Sequence, residues 1–258
     1  MEPFPKIIHQ IWLQGVENMP DKYKHNMEQN KKINSGWEYI LWDDIKIINL
    51  LRENDKWINT YYILEYLHHK VDFARYIILY KFGGIYIDMD ATTIKPINNI
   101  VNRFKQYDLI VSKVNSNILE NYIHCRYATC INNGIIIAKK NNFVLNKMIE
   151  SIIENPKCDT LSTKITCIQS ITGPSKFTKI IYENNNSKIK ILEPEFLEPC
   201  ILDSCNVTNN THTIHKHEGS WYSNNLRQLM SFYIKYKVLF YSSVIIVFIL
   251  ILVYFKIF

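Results

Sequence analysis

The chain has 258 residues, 47% of them hydrophobic and only seven glycine, so it can bury a sizeable core and is neither disordered nor fibrous. Its net charge of +6 divides unevenly: residues 231–258 hold three lysines and no acid, which leaves 27 basic against 24 acidic side chains, or +3, for the rest. That balance excludes the basic footprint of a nucleic-acid-binding protein, and one main domain over residues 1–230 is expected.

In chain order, residues 6–12 (KIIHQIW) read as a first strand and 22–32 as a polar helix. Residues 37–42 (WEYILW) read as a second strand, ended by Asp43 and Asp44. Helical spacing runs through 45–51 and more strongly through 70–82, where Val71, Ala74, Ile77, Ile78 and Phe82 recur at steps of three and four until Gly83 and Gly84 stop the helix. Residues 85–87 form a short β-branched and aromatic strand, so Asp88 and Asp90 fall at or just beyond its carboxyl end, where ligands collect in α/β sheets. Residues two apart on a strand point the same way, so the two carboxylates are placed to converge on one hard cation or one polar ligand. A solvated acidic turn is the competing reading.

Beyond the aspartates, strands are expected at 108–113 and 134–138, a helix at 142–153, a helix after Pro174, and strands at 188–192 and 212–217. Strands alternating with helices give an α/β sheet covered on both faces. There are no internal repeats, and asparagine runs such as 184–186 read as loops. Within the helix at 70–82, Asp72 and Arg75 lie three apart on one face, either as a weak intrahelical ion pair or aimed at a polyol and a phosphate. Tyr86 adds a hydroxyl near the same strand end. His68 and His69 read as a polar helix entry and His9 as a core residue or a support to the site. Asn132, Asn133 and Gly134 either form a structural turn or line an acceptor pocket.

Residues 238–255 (VLFYSSVIIVFILILVYF) are 18 residues without a charge, flanked by Lys235, Lys237 and Lys256, and read as a transmembrane anchor. The amino-terminal stretch has neither a basic n-region nor an apolar h-region, so insertion is expected to rely on that carboxyl-terminal segment. The lysines mildly favour a cytoplasmic catalytic domain. Three sequons (Asn185, Asn206, Asn209) and three local cysteine pairs (Cys125/Cys130, Cys158/Cys167, Cys200/Cys205) would suit an ER or Golgi lumen instead, with reduced cysteines and chance sequons in an asparagine-rich chain as the competing reading.

The blocks FPKIIHQIW near the amino terminus, VDFARYIILYKFGGIYIDMD, TGP at residues 172–174 and HKHEGSW at 215–221 resemble the DXD-containing sugar-transferase family. That family includes fungal initiating mannosyltransferases and mannosyl-inositol-phosphoceramide synthases, and is related to the large clostridial glucosylating toxins. The resemblance implies a GT-A type fold, a Rossmann-like mixed sheet flanked by helices. It also implies a nucleotide-sugar donor (GDP-mannose or a UDP-hexose), a divalent cation (Mn2+ or Mg2+), and retaining hexose transfer to a membrane-associated glycan, glycolipid or protein acceptor. Under it, Trp12 stacks on the nucleotide base, while Asp72 and Arg75 hold sugar or ribose hydroxyls and phosphate. Asp88 contacts ribose and metal, Asp90 binds the metal, and Ser220 and Trp221 close over the diphosphate. His215 completes the metal shell, with His217, on the same face of an extended segment, as the alternative.

Two other readings compete. A hydrophobic strand followed by D-x-D-x-T, met by Asp88, Asp90 and Thr92, also describes the nucleophile motif of haloacid-dehalogenase phosphatases. Such an enzyme needs a later acidic pair, whereas Asp159 and Asp203 are isolated, and Ala91 replaces the usual glycine. The third reading is a membrane-tethered protein that binds sugar nucleotides without turnover, against which every charged position of the motif set is present.

Overall fold

Three tetrapeptides and one pentapeptide, none with an Asp, Glu, Lys or Arg side chain, build the centre of the sheet. Gly84–Ile87 (β3), Leu109–Ser112 (β5) and Ile135–Ala138 (β6) are buried at every position, and Ile7–Ile11 (β1) at all but its first. Runs of this kind suit strands covered on both faces. The structure is a computed structural model that describes residues 3–184, 188–201 and 204–218, with isolated residues between 225 and 251.

The remaining elements follow in order around these strands: Asp21–Ile33 (α1), Glu38–Trp42 (β2), Asp44–Leu51 (α2), Asp55–Ile63 (α3), Leu67–Phe82 (α4) and Ala91–Thr93 (β4). After β4 come Asn98–Arg103 (α5), Ile118–Cys125 (α6), Phe143–Glu154 (α7), Lys164–Ile171 (α8), Pro174–Glu183 (α9), Ile189–Leu192 (β7), Pro194–Leu197 (α10), Cys200–Ile201 (β8), Ser204–Cys205 (β9) and Thr213–His215 (β10). The main sheet has the order β2-β1-β3-β6-β5-β7. All its pairings are parallel except those of β6, which runs against both β3 and β5. This is a mixed sheet, and its two faces can be read from the alternation within β6 and β3. Ile136 and Tyr86 face the core beneath α4, α7 and α9, whereas Ile135, Ile137, Ile85 and Ile87 face the core with Trp37, Ile100 and Leu197.

The expected elements are present with shifted ends, and two differences matter for the site. The strand expected at 212–217 shortens to Thr213–His215 and leaves the main sheet, pairing instead with β4 (His215 opposite Ala91). His217 therefore lies outside the extended segment, with a left-handed φ of 48°, rather than following His215 along one strand face. Gly84 shows why glycine ends α4 so abruptly: its φ is +95°, and a Cβ there would stand 2.4 Å from the Ile7 carbonyl oxygen. The three local cysteine pairs are each joined as disulfides. No helix among the described residues is long and apolar enough to cross a membrane, and the anchor expected at 238–255 lies, apart from residues 242 and 251, outside the described residues.

Candidate active site

The carboxyl ends of β1 and β3 lie side by side, and the chain leaves β3 in a tight turn, Asp88–Asp90, closed by the Ala91 N–H donating to the Asp88 carbonyl at 3.0 Å. The backbone of this turn is tied down from every side. The Asp88 N–H donates to Gly134 (2.8 Å), Gln10 donates to the Asp88 carbonyl (3.2 Å) and Asn26 to the Met89 carbonyl (2.9 Å). From α1, Asn30 fixes the start of β4, donating to the Ala91 carbonyl (3.1 Å) and accepting from the Thr93 N–H (2.7 Å). These bonds hold the turn so that its side chains are presented in fixed positions.

Those side chains meet β10. His215 Nε2 stands 3.1 Å from Asp90 Oδ1 and 3.7 Å from Asp88 Oδ2, so Asp88, Asp90 and His215 offer ligand atoms that all lie within 4.8 Å of one another. Gly134 is what lets them approach, since a Cβ at that residue would lie 2.5 Å from both Asp88 Oδ2 and His215 Cε1. Two carboxylates and one imidazole suit Mn2+ or Mg2+, so the residues present fit the expected cation. The electrostatics agree. Burial pushes the His215 imidazole down, but the Glu198 and Asp90 carboxylates more than reverse this and hold it well above its ordinary range. Burial likewise works against ionised Asp90, yet His215 and the Glu218 N–H hold its carboxyl far below the usual value. A pocket that stabilises an imidazolium and a carboxylate so strongly is built around charge.

Behind the turn, α4 supplies a second buried group of charges. Arg75 Nη2 contacts Asp72 at 2.9 Å and Asp88 Oδ1 at 3.2 Å, while Nη1 donates to the Asn133 carbonyl at 2.7 Å. The guanidinium also lies 4.5 Å from the centre of the Tyr86 ring, whose hydroxyl donates to Asp88 Oδ1 at 2.8 Å. Asp72 accepts from Thr172 (2.8 Å) and Asn133 (3.1 Å). Burial raises its carboxyl to about 6 against the pull of Arg75, which leaves it ionised at neutral pH. Burial also raises Asp88, with Arg75 and His215 opposing. Thus Asp72 and Arg75 bear on the turn through Asp88, and Arg75 Nε is buried with no hydrogen-bond partner among the described residues.

Trp12 follows β1 at the same edge, its ring 5.2 Å from Tyr23 and its buried indole N–H without a partner among the described residues. Tyr23 donates to Glu218 at 2.8 Å, Lys22 forms an ion pair with the same carboxylate, and the Glu218 N–H donates to Asp90 Oδ2 at 2.8 Å. The start of α1 is thereby clasped to the turn. Ser220 and Trp221 lie outside the described residues.

Other histidines stand elsewhere. His9 is fully buried, accepting from the Trp42 indole and donating to the Gly83 carbonyl (2.9 Å), and burial lowers it to about 4. His68 is half-buried, and burial lowers it to about 4 as well. His69 is buried, 3.6 Å from the Cys167 sulfur. His69, Cys158 and Cys167 also converge, but the two sulfurs are bonded to each other and offer no thiolate.

Sequence reasoning missed Glu198. It is fully buried just past α10, and its carboxylate lies 3.1 Å from His215 Nδ1 and 3.0 Å from His217 Nε2. It follows Pro194–Leu197 with no motif or periodicity around it, so only the fold reveals the contact. Asn133 joined the charge network rather than standing as a simple turn residue, and Thr172, from the TGP block, is its counterpart on Asp72.

Residues 20–106 match the family described as glycosyltransferase sugar-binding region containing DXD motif. An uncharacterized glycosyltransferase of Acanthamoeba polyphaga mimivirus is 29% identical over 230 residues, covering 84% of this chain and 83% of that protein. Inositol phosphoceramide mannosyltransferase 1 of Schizosaccharomyces pombe is 35% identical over 107 residues, covering 40% of this chain but only 33% of its own length. Among solved structures, mouse xyloside xylosyltransferase 1 in its apo form shares the fold with a TM-score of 0.52 at 8% identity, over 84% of this chain and 99% of that one. Residues 20–106 thus resemble a DXD-containing glycosyltransferase sugar-binding region, the chain as a whole is similar in sequence to a viral glycosyltransferase, and it shares its fold with the xylosyltransferase.

Proposed function

We propose that this protein moves a hexose from a nucleotide-sugar donor to a glycan, glycolipid or protein acceptor, with retention of anomeric configuration and with Mn2+ or Mg2+ held by Asp88, Asp90 and His215. The observation that carries this reading is the convergence of those three side chains at the carboxyl edge of β1 and β3. Breaking the bond between sugar and diphosphate creates an oxocarbenium-like centre and a leaving group of rising negative charge. A bound divalent cation supplies charge neutralisation for that diphosphate, an effect worth several kcal/mol in the transition state. The chain's own residues set the stage for it. Arg75 and Tyr86 hold Asp88 in one orientation, the Glu218 N–H holds Asp90, and Trp12 offers an aromatic face for the base beside Tyr23.

The acceptor side of this reading falls on the second half of the sheet edge. Lys113 and Glu193, the residues immediately after β5 and β7, line a groove of about 680 Å³ with Ser116, Asn117, Ile118 and Leu119. Residues 238–255 serve as the anchor that keeps this groove near a membrane-bound acceptor, in keeping with the lipid named in the fission-yeast relative's description. The joined cysteine pairs suit an oxidising lumen, against the weak lysine bias toward the cytoplasm. The haloacid-dehalogenase reading is disfavoured, because Thr92 sits within β4 paired to β10.

The test is nucleotide release from a panel of GDP- and UDP-hexoses with Mn2+. Release from at least one donor, lost in excess chelator, is expected. A folded protein that binds donors but releases no nucleotide with any acceptor class supports the binding protein without turnover.

A further inference from the structure

Glu198 is a fully buried carboxylate whose neighbours include two imidazoles, and no lysine or arginine ion pair to it is present among the described residues. An ionised carboxylate taken out of water needs compensation, so its placement calls for a reason. Its backbone is clamped on both sides. The Glu198 N–H donates to Pro194 at 2.7 Å, and the next carbonyl, that of Pro199, accepts from Asn115 (2.9 Å) and from the Asn206 N–H (2.9 Å). The carboxylate is therefore fixed, and the imidazoles orient to it.

Both carboxylate oxygens approach His215 Nδ1, at 3.2 and 3.1 Å, and the same Oε2 meets His217 Nε2 at 3.0 Å. The two rings stack with centroids 4.0 Å apart. His215 thus has one nitrogen on Glu198 and the other facing Asp90 and Asp88. A neutral imidazole has one N–H and one lone pair, and the partner of one nitrogen decides which the other presents.

We infer that Glu198 is a positioning residue for the cation site: it accepts a hydrogen bond from the Nδ1–H of His215, which leaves the Nε2 lone pair toward Asp88 and Asp90, and it engages His217 as a brace rather than a ligand. The inference rests on the metal reading of Asp88, Asp90 and His215. Carboxylate partners of ligating histidines commonly contribute a factor of about 10–100 in metal affinity.

Binding of Mn2+ to the full chain in detergent, read from loss of the free-ion signal in electron paramagnetic resonance, separates the possibilities. Glu198→Gln should weaken Mn2+ binding about 10- to 100-fold. His217→Gln should change it less than about threefold. A purely structural role for Glu198 would lower thermal stability and leave affinity alone. Because a buried substitution can unfold the chain, the wild type gives a second readout: with Mg2+ bound, nitrogen-15 spectra of the histidine rings should show His215 carrying its proton on Nδ1. Wild-type protein that binds no Mn2+ overturns the metal reading and this inference with it. Tight wild-type binding with an unchanged Glu198→Gln, or a His215 proton on Nε2, overturns the inference alone.

Discussion

The carboxyl edge of the sheet has two halves of opposite character. Beside β1 and β3, Asp72 at 6% and Arg75 at 5% exposure are almost sealed from solvent, and their carboxylate and guanidinium are tied into one network with Asp88. Beyond β5 and β7 the groove is open, its Lys113–Glu193 ion pair is half-exposed, and α6 leaves Ile118 (65%) and Leu119 (58%) in solvent. The first half is preorganised, as a site must be when it acts on developing charge, because fixed dipoles and charges need no rearrangement during reaction. The second is shaped by side chains that can be exchanged at little cost to the fold. Under the proposed function, chemistry and selectivity fall to different strands of one sheet.

Removing a charge from the first half should have the largest effect. Asp90→Asn keeps the shape of the turn while removing one ligand charge, and nucleotide release should fall by at least about 1,000-fold, corresponding to several kcal/mol of lost transition-state stabilisation. Thermal unfolding checks that the fold is intact. Arg75→Met attacks the same half from behind, leaving Asp72 and Asp88 without their shared cation. Breaking a buried pair in this way costs about 3–5 kcal/mol, so the midpoint of thermal unfolding should drop by roughly 10 °C. An unchanged midpoint would mean that the pair is not buried in solution.

A smaller effect comes from His9, which supports the sheet beneath the site. Its folded value, lowered to about 4, lies below the ordinary 6.5, so between these values the unfolded chain binds a proton that the folded chain refuses. Stability contributed by neutral His9 is present above pH 6.5 and is lost as pH falls toward 4, by up to about 3 kcal/mol. Urea unfolding at pH 7 and 4.5 measures this, and His9→Gln should flatten the slope. The smallest effect is expected in the open half. Ile118→Ser with Leu119→Ser should raise the acceptor KM about three- to tenfold, leave donor cleavage unchanged and alter stability by less than about 0.5 kcal/mol per residue. If donor cleavage falls as well, the two halves are not separate.

How far the sequence reveals this division depends on the range of the interactions involved. The strands were legible as apolar runs, and Gly83 and Gly84 correctly ended α4. That helix starts at Leu67, earlier than the apolar spacing at 70–82 suggests, because its cap residue Tyr66 makes no capping hydrogen bond from its side chain and leaves no start signal. Helices α3, α5, α6 and α8 are short and lack an extended apolar stripe, although the Asn117–Glu120 capping box of α6 was there to be read. The reversed direction of β6 has no local signature. In the site, Asp88 and Asp90 stood out because they end a buried strand in close succession. Glu198 did not, because its partner is 17 residues away and its burial arises only when β10 leaves the main sheet to pair with β4.

Calorimetric titration of UDP and GDP into the wild-type protein, with Mn2+ and then with excess chelator, tests most directly whether Asp88, Asp90 and His215 form a cation-dependent diphosphate site. At least one nucleotide should bind at least about tenfold more tightly with Mn2+, a difference of about 1.4 kcal/mol, and Asp90→Asn should erase that difference. Equal affinity with and without the cation, or an Asp90→Asn protein that keeps the full Mn2+ enhancement, would contradict the assignment.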